Sequence, residues 1–128
     1  MLTTHPQTAT FKSVDEIPEG NFLRHMPRYQ KDTFEHNVKF AEAIGKVADK
    51  KGCSKAQLAL AWVKAHSGKD GCPIIIPIPG ATTEERIMDN MKDVTLSEEE
   101  MAEINEIIKA HPIKGERYGG PQAALMNG

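Results

Sequence analysis

Cysteine, aromatic side chains and basic charge are all scarce in this sequence, and each shortage narrows what the chain can be. The two cysteines, Cys53 and Cys72, stand nineteen residues apart in no metal-ligand spacing. Neither a disulfide framework nor a zinc site is indicated, and they read as reduced thiols. His5, His25, His36, His66 and His111 offer no H-x-x-x-H and no His/Cys pairing, which argues against a metal centre. Aromatics make up 5% of the 128 residues, and Phe11, Phe22, Tyr29 and Phe34 all precede residue 35. Lys and Arg total 16 against 18 Asp and Glu, a net charge of −2, so no basic stripe is present for a nucleic-acid partner. The longest apolar runs, 58–63 and 73–79, are far too short to cross a bilayer. The start, Met1-Leu2-Thr3-Thr4-His5-Pro6, has neither the basic n-region nor the apolar h-region of a secretory leader. The expectation is a cytoplasmic protein with no nucleic-acid, membrane or metal partner.

What is present is a run of helix signals. Residues 1–31 read as a long loop with one helical turn near Ser13–Ile17, because Ile17-Pro18-Glu19-Gly20 and Met26-Pro27-Arg28 are turn sequences. A helix over 33–50 is predicted from an apolar stripe of Phe34, Val38, Ala41, Gly45 and Ala48, widened by Phe40, Ile44 and Val47. Asp32 and Glu35 supply its capping signal, and Lys50-Lys51-Gly52 closes it. A second helix over 55–66 is capped by Ser54 with Gln57. Its centre, Leu58-Ala59-Leu60-Ala61-Trp62-Val63, is apolar nearly all round, which predicts burial on most sides, with Trp62 in the core. Two more helices are predicted over 83–91, with Thr82 and Glu85 as a capping box, and over 98–110, with Ser97 and Glu100. Glu98-Glu99-Glu100 is ordinary compensation of the helix dipole. The tail from Lys114 is rich in glycine and reads as irregular.

Between the second and third helices lies Cys72-Pro73-Ile74-Ile75-Ile76-Pro77-Ile78-Pro79-Gly80. A β-branched run without alternation predicts one short strand within 74–79, covered on both faces as in a parallel sheet. One strand makes no sheet, and an all-apolar helix needs more cover than three other helices supply. The pattern therefore reads as part of a larger parallel α/β body.

The junction after that strand is the strongest chemical candidate. Pro79-Gly80-Ala81-Thr82-Thr83 leads into a helix with Arg86 one turn in. Free backbone N–H groups, the positive end of the helix dipole and a guanidinium then converge, as an anion such as a phosphate requires. The competing reading is a well-capped junction in which Arg86 merely pairs with Glu85 or Asp89.

Pro79-Gly80-Ala81-Thr82 followed by Glu85-Arg86-Ile87-x-Asp89-Asn90 resembles the last strand and helix of the aldo-keto reductases. Ser54-Lys55-Ala56-Gln57-Leu58-Ala59-Leu60-Ala61-Trp62-Val63 is similar to the family's preceding helix, and Leu96-Ser97-Glu98-Glu99-Glu100-Met101-Ala102-Glu103-Ile104 to its closing helix. The helix Phe34–Lys51 also fits, and Met1-Leu2-Thr3-Thr4 resembles the end of the seventh strand. Arg28-Tyr29 and Gly115-Glu116-Arg117-Tyr118 are similar to sequences of the fungal pyridoxal-reductase-like branch. The likeness runs over residues 1 to about 120 without interruption.

The resemblance implies an α/β fold by family, the C-terminal quarter of a (β/α)8 TIM barrel, that as an isolated chain is mostly α with one short strand. It implies a single partial domain over 1–128: a loop over 1–31, helix-helix-strand-helix-helix over 32–112, and a tail over 113–128. NADP is the implied cofactor, bound weakly or not at all by the chain alone. Gly80, Ala81, Thr82 and Thr83 would form the phosphate loop, Arg86 the cation beside the 2′-phosphate, with Asp89 and Asn90 near the adenine. Many members have Lys-Ser at Gly80-Ala81, and others an arginine at Thr83, so fewer charges reach the phosphate here and the choice between NADPH and NADH stays open. The family's catalytic Asp, Tyr, Lys and His lie on early strands and match nothing here, so no catalytic residue is assigned and the isolated chain is expected to be inactive. The implied parent activity is reduction of aldehydes or ketones, pyridoxal among them, with NADPH. The alternatives are a truncated paralogue acting as a non-catalytic binding or regulatory module, and a non-functional remnant. Self-association, or pairing with the missing barrel part, is the expected partnership.

Overall fold

The structure, a computed structural model, describes residues 11–116. Four α-helices carry it: α1 (Lys31–Lys51), α2 (Lys55–His66), α3 (Glu84–Met91) and α4 (Glu98–Ala110). Short 3-10 turns at Val14–Glu16, Phe22–His25 and Pro27–Tyr29 precede them. Among the described residues, contacts define a unit built on 44–106 and a unit built on 11–43 with 107–116.

In the unit containing 11–43 and 107–116, the segment expected as a loop with one helical turn carries that turn, Val14–Glu16, and two more. Ser13 caps the first by accepting from the Asp15 amide, and Asn21 caps the second by accepting from Leu23. The turns bring Ile17, Leu23 and Tyr29 onto Phe34 of α1 as a buried cluster, with Phe11, Val14, Met26 and Val38 packed around it. Tyr29 stacks on Phe34 with ring centroids 5.6 Å apart. Arg24 crosses this loop, its Nε donating to the Ile17 carbonyl at 2.8 Å. The early concentration of aromatics is therefore a small core of its own, which no 3.6- or 2-residue period announces. The Pro27–Tyr29 turn also runs straight into α1, so the helix starts before the expected Asp32 cap: the Phe34 amide already donates to the Gln30 carbonyl at 2.7 Å. Beyond α4, Asn37 exchanges two hydrogen bonds with Lys114, at 2.9 and 3.0 Å, and Arg28 Nε donates to the Gly115 carbonyl at 3.0 Å. Gly115 has φ +84° and a Cβ there would stand 2.9 Å from the Pro27 carbonyl oxygen, so only glycine fits.

In the unit containing 44–106, Ile44, Val47 and Ala48 of α1, Leu58, Ala59 and Ala61 of α2 and Ile104 of α4 are buried. Gly52, at φ +74°, ends α1, and the Cys53 amide reaches back to the Ala48 carbonyl at 3.0 Å; this is the Schellman closure that a left-handed glycine permits. The Ser54–Gln57 capping box forms as the sequence predicts, and so does the Ser97–Glu100 box, with the two bonds at 2.8 and 3.2 Å. Such caps are each worth about 1 kcal/mol. Trp62 of α2, expected in the core, is not fully enclosed there. Trp62 is half-buried, as are Leu60 and Val63, and Trp62 Nε1 donates to Asn105 Oδ1 at 3.1 Å while its ring lies 4.3 Å from that of His66.

The predicted strand is also absent, and no strand occurs among the described residues. Residues 73–81 run without strand pairing because no neighbouring strand is present among the described residues and Pro73, Pro77 and Pro79 carry no N–H to donate. Ser67 is a partial substitute: its Oγ accepts from the Ile75 amide at 2.8 Å and lies 3.4 Å from the Ile75 carbonyl. The isoleucines expected between two covered faces stand in water instead, Ile74, Ile76 and Ile78 being 82%, 80% and 94% exposed.

Two ion pairs join α1 to α4, an exposed one between Lys50 and Glu103 at 3.3 Å and a less exposed one between Lys51 and Glu100. Lys51 Nζ donates to Glu100 Oε2 at 2.7 Å, and this bond, followed by that of the Ser97 amide, holds the Glu100 carboxyl below the usual glutamate range, with partial desolvation opposing. A depressed carboxylate contributes stability that is complete above its unfolded value, near ~4.3, and lost as pH falls through the folded value. Thermal melts between pH 7 and pH 3 should therefore show wild type losing more stability than Glu100→Gln below about pH 4.3. Identical pH profiles for the two proteins would contradict this assignment.

Candidate functional site

The unpaired segment 73–81 delivers the chain to the amino terminus of α3, where the anion-binding residues were placed by the sequence. The cap is Thr83, one residue later than expected. Its backbone is extended (φ −135°, ψ 152°) and its side chain accepts from the Arg86 amide at 3.3 Å. The expected Thr82–Glu85 box does not form, because a cap at 83 makes Arg86 the third helical residue and leaves no carboxamide or carboxylate at that position to reach back.

Arg86 is exposed, and its guanidinium makes no ion pair among the described residues, neither with Glu85 nor with Asp89. The local pairing that would have made this an inert junction is thus not formed. Gly80, Thr82 and Thr83 are exposed and Ala81 is half-buried. A Cβ added at Gly80 would meet open space, so this glycine leaves room on the approach to the helix. The positive end of the α3 dipole and the guanidinium both favour an anion here. Against them stand Glu84 and Glu85, both exposed in the first turn.

One turn further on, the two remaining candidates separate. Asn90 is half-buried and its side chain makes no hydrogen bond among the described residues. Asp89 is fully engaged. Its Oδ1 accepts from Gln57 Nε2 at 2.8 Å and from Lys92 Nζ at 3.2 Å, and its Oδ2 accepts from Ser54 Oγ at 3.4 Å. Gln57 Nε2 also donates to the Asp89 carbonyl at 3.1 Å. Gln57 and Ser54 were visible in the sequence as a helix cap, but nothing local signals that the same two side chains hold Asp89, more than thirty residues away.

The other side chains that could carry chemistry are occupied or shielded. An open depression of about 520 Å³ is lined by Lys51, Gly52, Cys53, Gln57 and residues 92–95. Its two lysines are paired, Lys51 with Glu100 and Lys92 with Asp89, so they offer no free charge to an anion. Cys53 is a free, half-buried thiol. Burial pushes it above the usual cysteine value, Lys51 works against this and Glu100 with it, which disfavours the reactive thiolate. Cys72 is likewise a free thiol. No group of three His, Cys, Asp or Glu among the described residues could hold a metal ion, and no described helix is long and apolar enough to cross a membrane. Of the two tyrosines, Tyr29 is buried against Phe34, while Tyr118 and Arg117 lie outside the described residues, as does Met1–Thr4.

Residues 5–109 match the Aldo/keto reductase family. A curated relative, the NADP(+) aldo-keto reductase yakc of Schizosaccharomyces pombe, is 37% identical over 113 residues, which is 87% of this chain and 32% of the relative. The chain thus spans about a third of the length of the relative it matches. No solved structure matches. The unpaired strand-like segment and the helices around it are what part of a (β/α)8 barrel looks like without the rest of its sheet. With a family match running across most of its length, the chain belongs to the Aldo/keto reductase family.

Proposed function

We propose that residues 80–90 are the part of an NADP-dependent aldo-keto reductase that holds the 2′-phosphate and adenine of the cofactor, within an enzyme that reduces aldehydes or ketones, pyridoxal among them. The observation that carries this is the exposed, unpaired Arg86 guanidinium at the Thr83-capped start of α3. Gly80, Ala81, Thr82 and Thr83 line the approach to that helix end and Arg86 meets the phosphate, while Asp89 and Asn90 lie one turn along, beside the adenine. The donor set suits a phosphate, and the two first-turn carboxylates make its grip on the dianion modest. The cofactor, when bound, supplies the hydride for carbonyl reduction. The proton has to come from outside the described residues, since Tyr29 is 7% exposed and committed to an apolar cluster. On this reading the chain binds one end of the cofactor and does not reduce a carbonyl alone.

Titrating the 128-residue chain, isotope-labelled, with adenosine 2′,5′-bisphosphate tests the reading. Amide shifts should cluster over 80–90, adenosine 5′-monophosphate should bind about tenfold more weakly, and Arg86→Ala should lose about tenfold, as removing one charge-assisted hydrogen bond requires. Equal affinity for the two nucleotides, or an Arg86→Ala variant that binds like wild type, would overturn it.

The exposed isoleucines support a linked proposal about partnership. Ile74, Ile76 and Ile78 lie on alternate positions of an extended segment, as one face of a strand does. That face pairs with the remainder of a barrel, and without one it recruits a second copy, since unpaired strand edges and apolar patches both drive association. Light scattering after size-exclusion chromatography should find wild type larger than a monomer and Ile76→Lys/Ile78→Lys shifted towards monomer. A wild type that elutes as a monomer and binds no dye for apolar surface would refute this.

A further inference from the structure

The cluster around Gln57 joins α2 to α3 through one residue of the proposed cofactor site, Asp89. Gln57 is 6% exposed and is the buried polar side chain of the core. Its Oε1 accepts from the Ser54 amide at 3.0 Å, completing the α2 cap, while its Nε2 donates to both the carboxylate and the backbone carbonyl of Asp89. Ser54 Oγ accepts from the Gln57 amide at 3.2 Å and donates to the other carboxylate oxygen of Asp89. Lys92 closes the arrangement through its Nζ on Oδ1 and its backbone amide on the Asp89 carbonyl, at 3.3 Å. The negative side chain of Asp89 is thus set against the positive end of the α2 dipole, where it is favoured.

We propose that Asp89 is a positioning residue, latched by Gln57 to the amino terminus of α2, and that this latch sets the orientation of α3. Arg86 and Asn90 stand four residues apart, on one face of the helix. Asp89, next to Asn90 and one turn on from Arg86, carries the anchor. Fixing Asp89 fixes the rotation of α3 about its axis, and with it the direction in which Arg86 and Asn90 are presented. Asn90, whose side chain makes no hydrogen bond among the described residues, is then free to meet the base. The consequence for ligand binding rests on the cofactor reading given above, whereas the latch itself does not.

Gln57→Glu separates the latch from the cap. A glutamate still accepts from the Ser54 amide, so α2 keeps its capping box, but two carboxylates then face each other where an amide and a carboxylate met. In the 128-residue chain, amide hydrogen exchange of Met88–Met91 should accelerate about tenfold in Gln57→Glu, while the α2 amides keep their rates. Gln57→Glu should also weaken binding of adenosine 2′,5′-bisphosphate. Gln57→Glu/Asp89→Asn removes the facing carboxylates and restores a carboxylate–amide pair with the roles exchanged, though not the donor to the backbone carbonyl of residue 89, and should bring α3 exchange back to within about threefold of wild type. Asp89→Asn alone should change α3 exchange by less than about twofold, since an amide oxygen still accepts from Gln57. The proposal is overturned if Gln57→Glu leaves α3 exchange unchanged, or if the double variant exchanges as fast as Gln57→Glu. A wild type that binds no nucleotide, in which Gln57→Glu still accelerates α3, upholds the latch and fails the cofactor reading.

Discussion

A strand's N–H and C=O groups are satisfied by its neighbours, and residues 73–79 have no neighbouring strand among the described residues. That constraint decides much of the rest. Without a ladder Ile74, Ile76 and Ile78 face water, and a serine hydroxyl stands in for the missing strand at a single residue, Ile75. Burying an isoleucine side chain fully is worth about 1.5–3 kcal/mol, so the exposed row is a sizeable unclaimed contribution. The same shortage leaves Leu60, Trp62 and Val63 of α2 only half-buried, with Trp62 turned to Asn105 for a hydrogen-bond partner. A (β/α)8 barrel supplies such partners from its other strands, and the family match makes that the natural setting of these residues.

What holds the described parts together instead is a set of contacts at helix ends. Caps at Ser54 and Ser97 and the left-handed Gly52 act within a turn of helix, while the ion pair of Lys51 with Glu100 and the engagement of Asp89 by Gln57 tie one helix to another. They also define the proposed cofactor end. Thr83 sets where α3 begins, hence which residue stands at its third position, and Asp89 sets how the helix is turned. The chemistry assigned to Arg86 is therefore inherited from contacts that involve no ligand at all.

The helices were legible because their signals are local. Ser54-x-x-Gln57 and Ser97-x-x-Glu100 specify their ends through side chains that reach only three residues, and both boxes form. Thr82-x-x-Glu85 looks the same on paper, yet Thr83 takes the cap; two adjacent threonines offer the same hydroxyl, and the pattern cannot choose between them. The isoleucine run had the composition of a buried strand, but composition reports what a segment suits and not whether a partner exists. The small core of Ile17, Leu23, Tyr29 and Phe34 was missed for a third reason, since 3-10 turns and irregular spacing leave no period to read. At the candidate site, the position of Arg86 followed from the sequence and from the family likeness. The capture of Asp89 by α2 did not, because it is a tertiary contact between segments with no common pattern.

The central claim is that 74–79 is a barrel strand without its sheet, and hydrogen exchange at single-amide resolution tests it directly. In dilute chain, kept below any association, the amides of Ile74, Ile76 and Ile78 should exchange at rates close to those of an unstructured peptide, with Ile75 slower because Ser67 accepts its N–H, while the amides of Leu58 and Ala59 in the buried face of α2 are strongly protected. Protection of Ile74, Ile76 and Ile78 equal to that of α2 in the monomer would mean that the segment finds its ladder within this chain, and the account would fail.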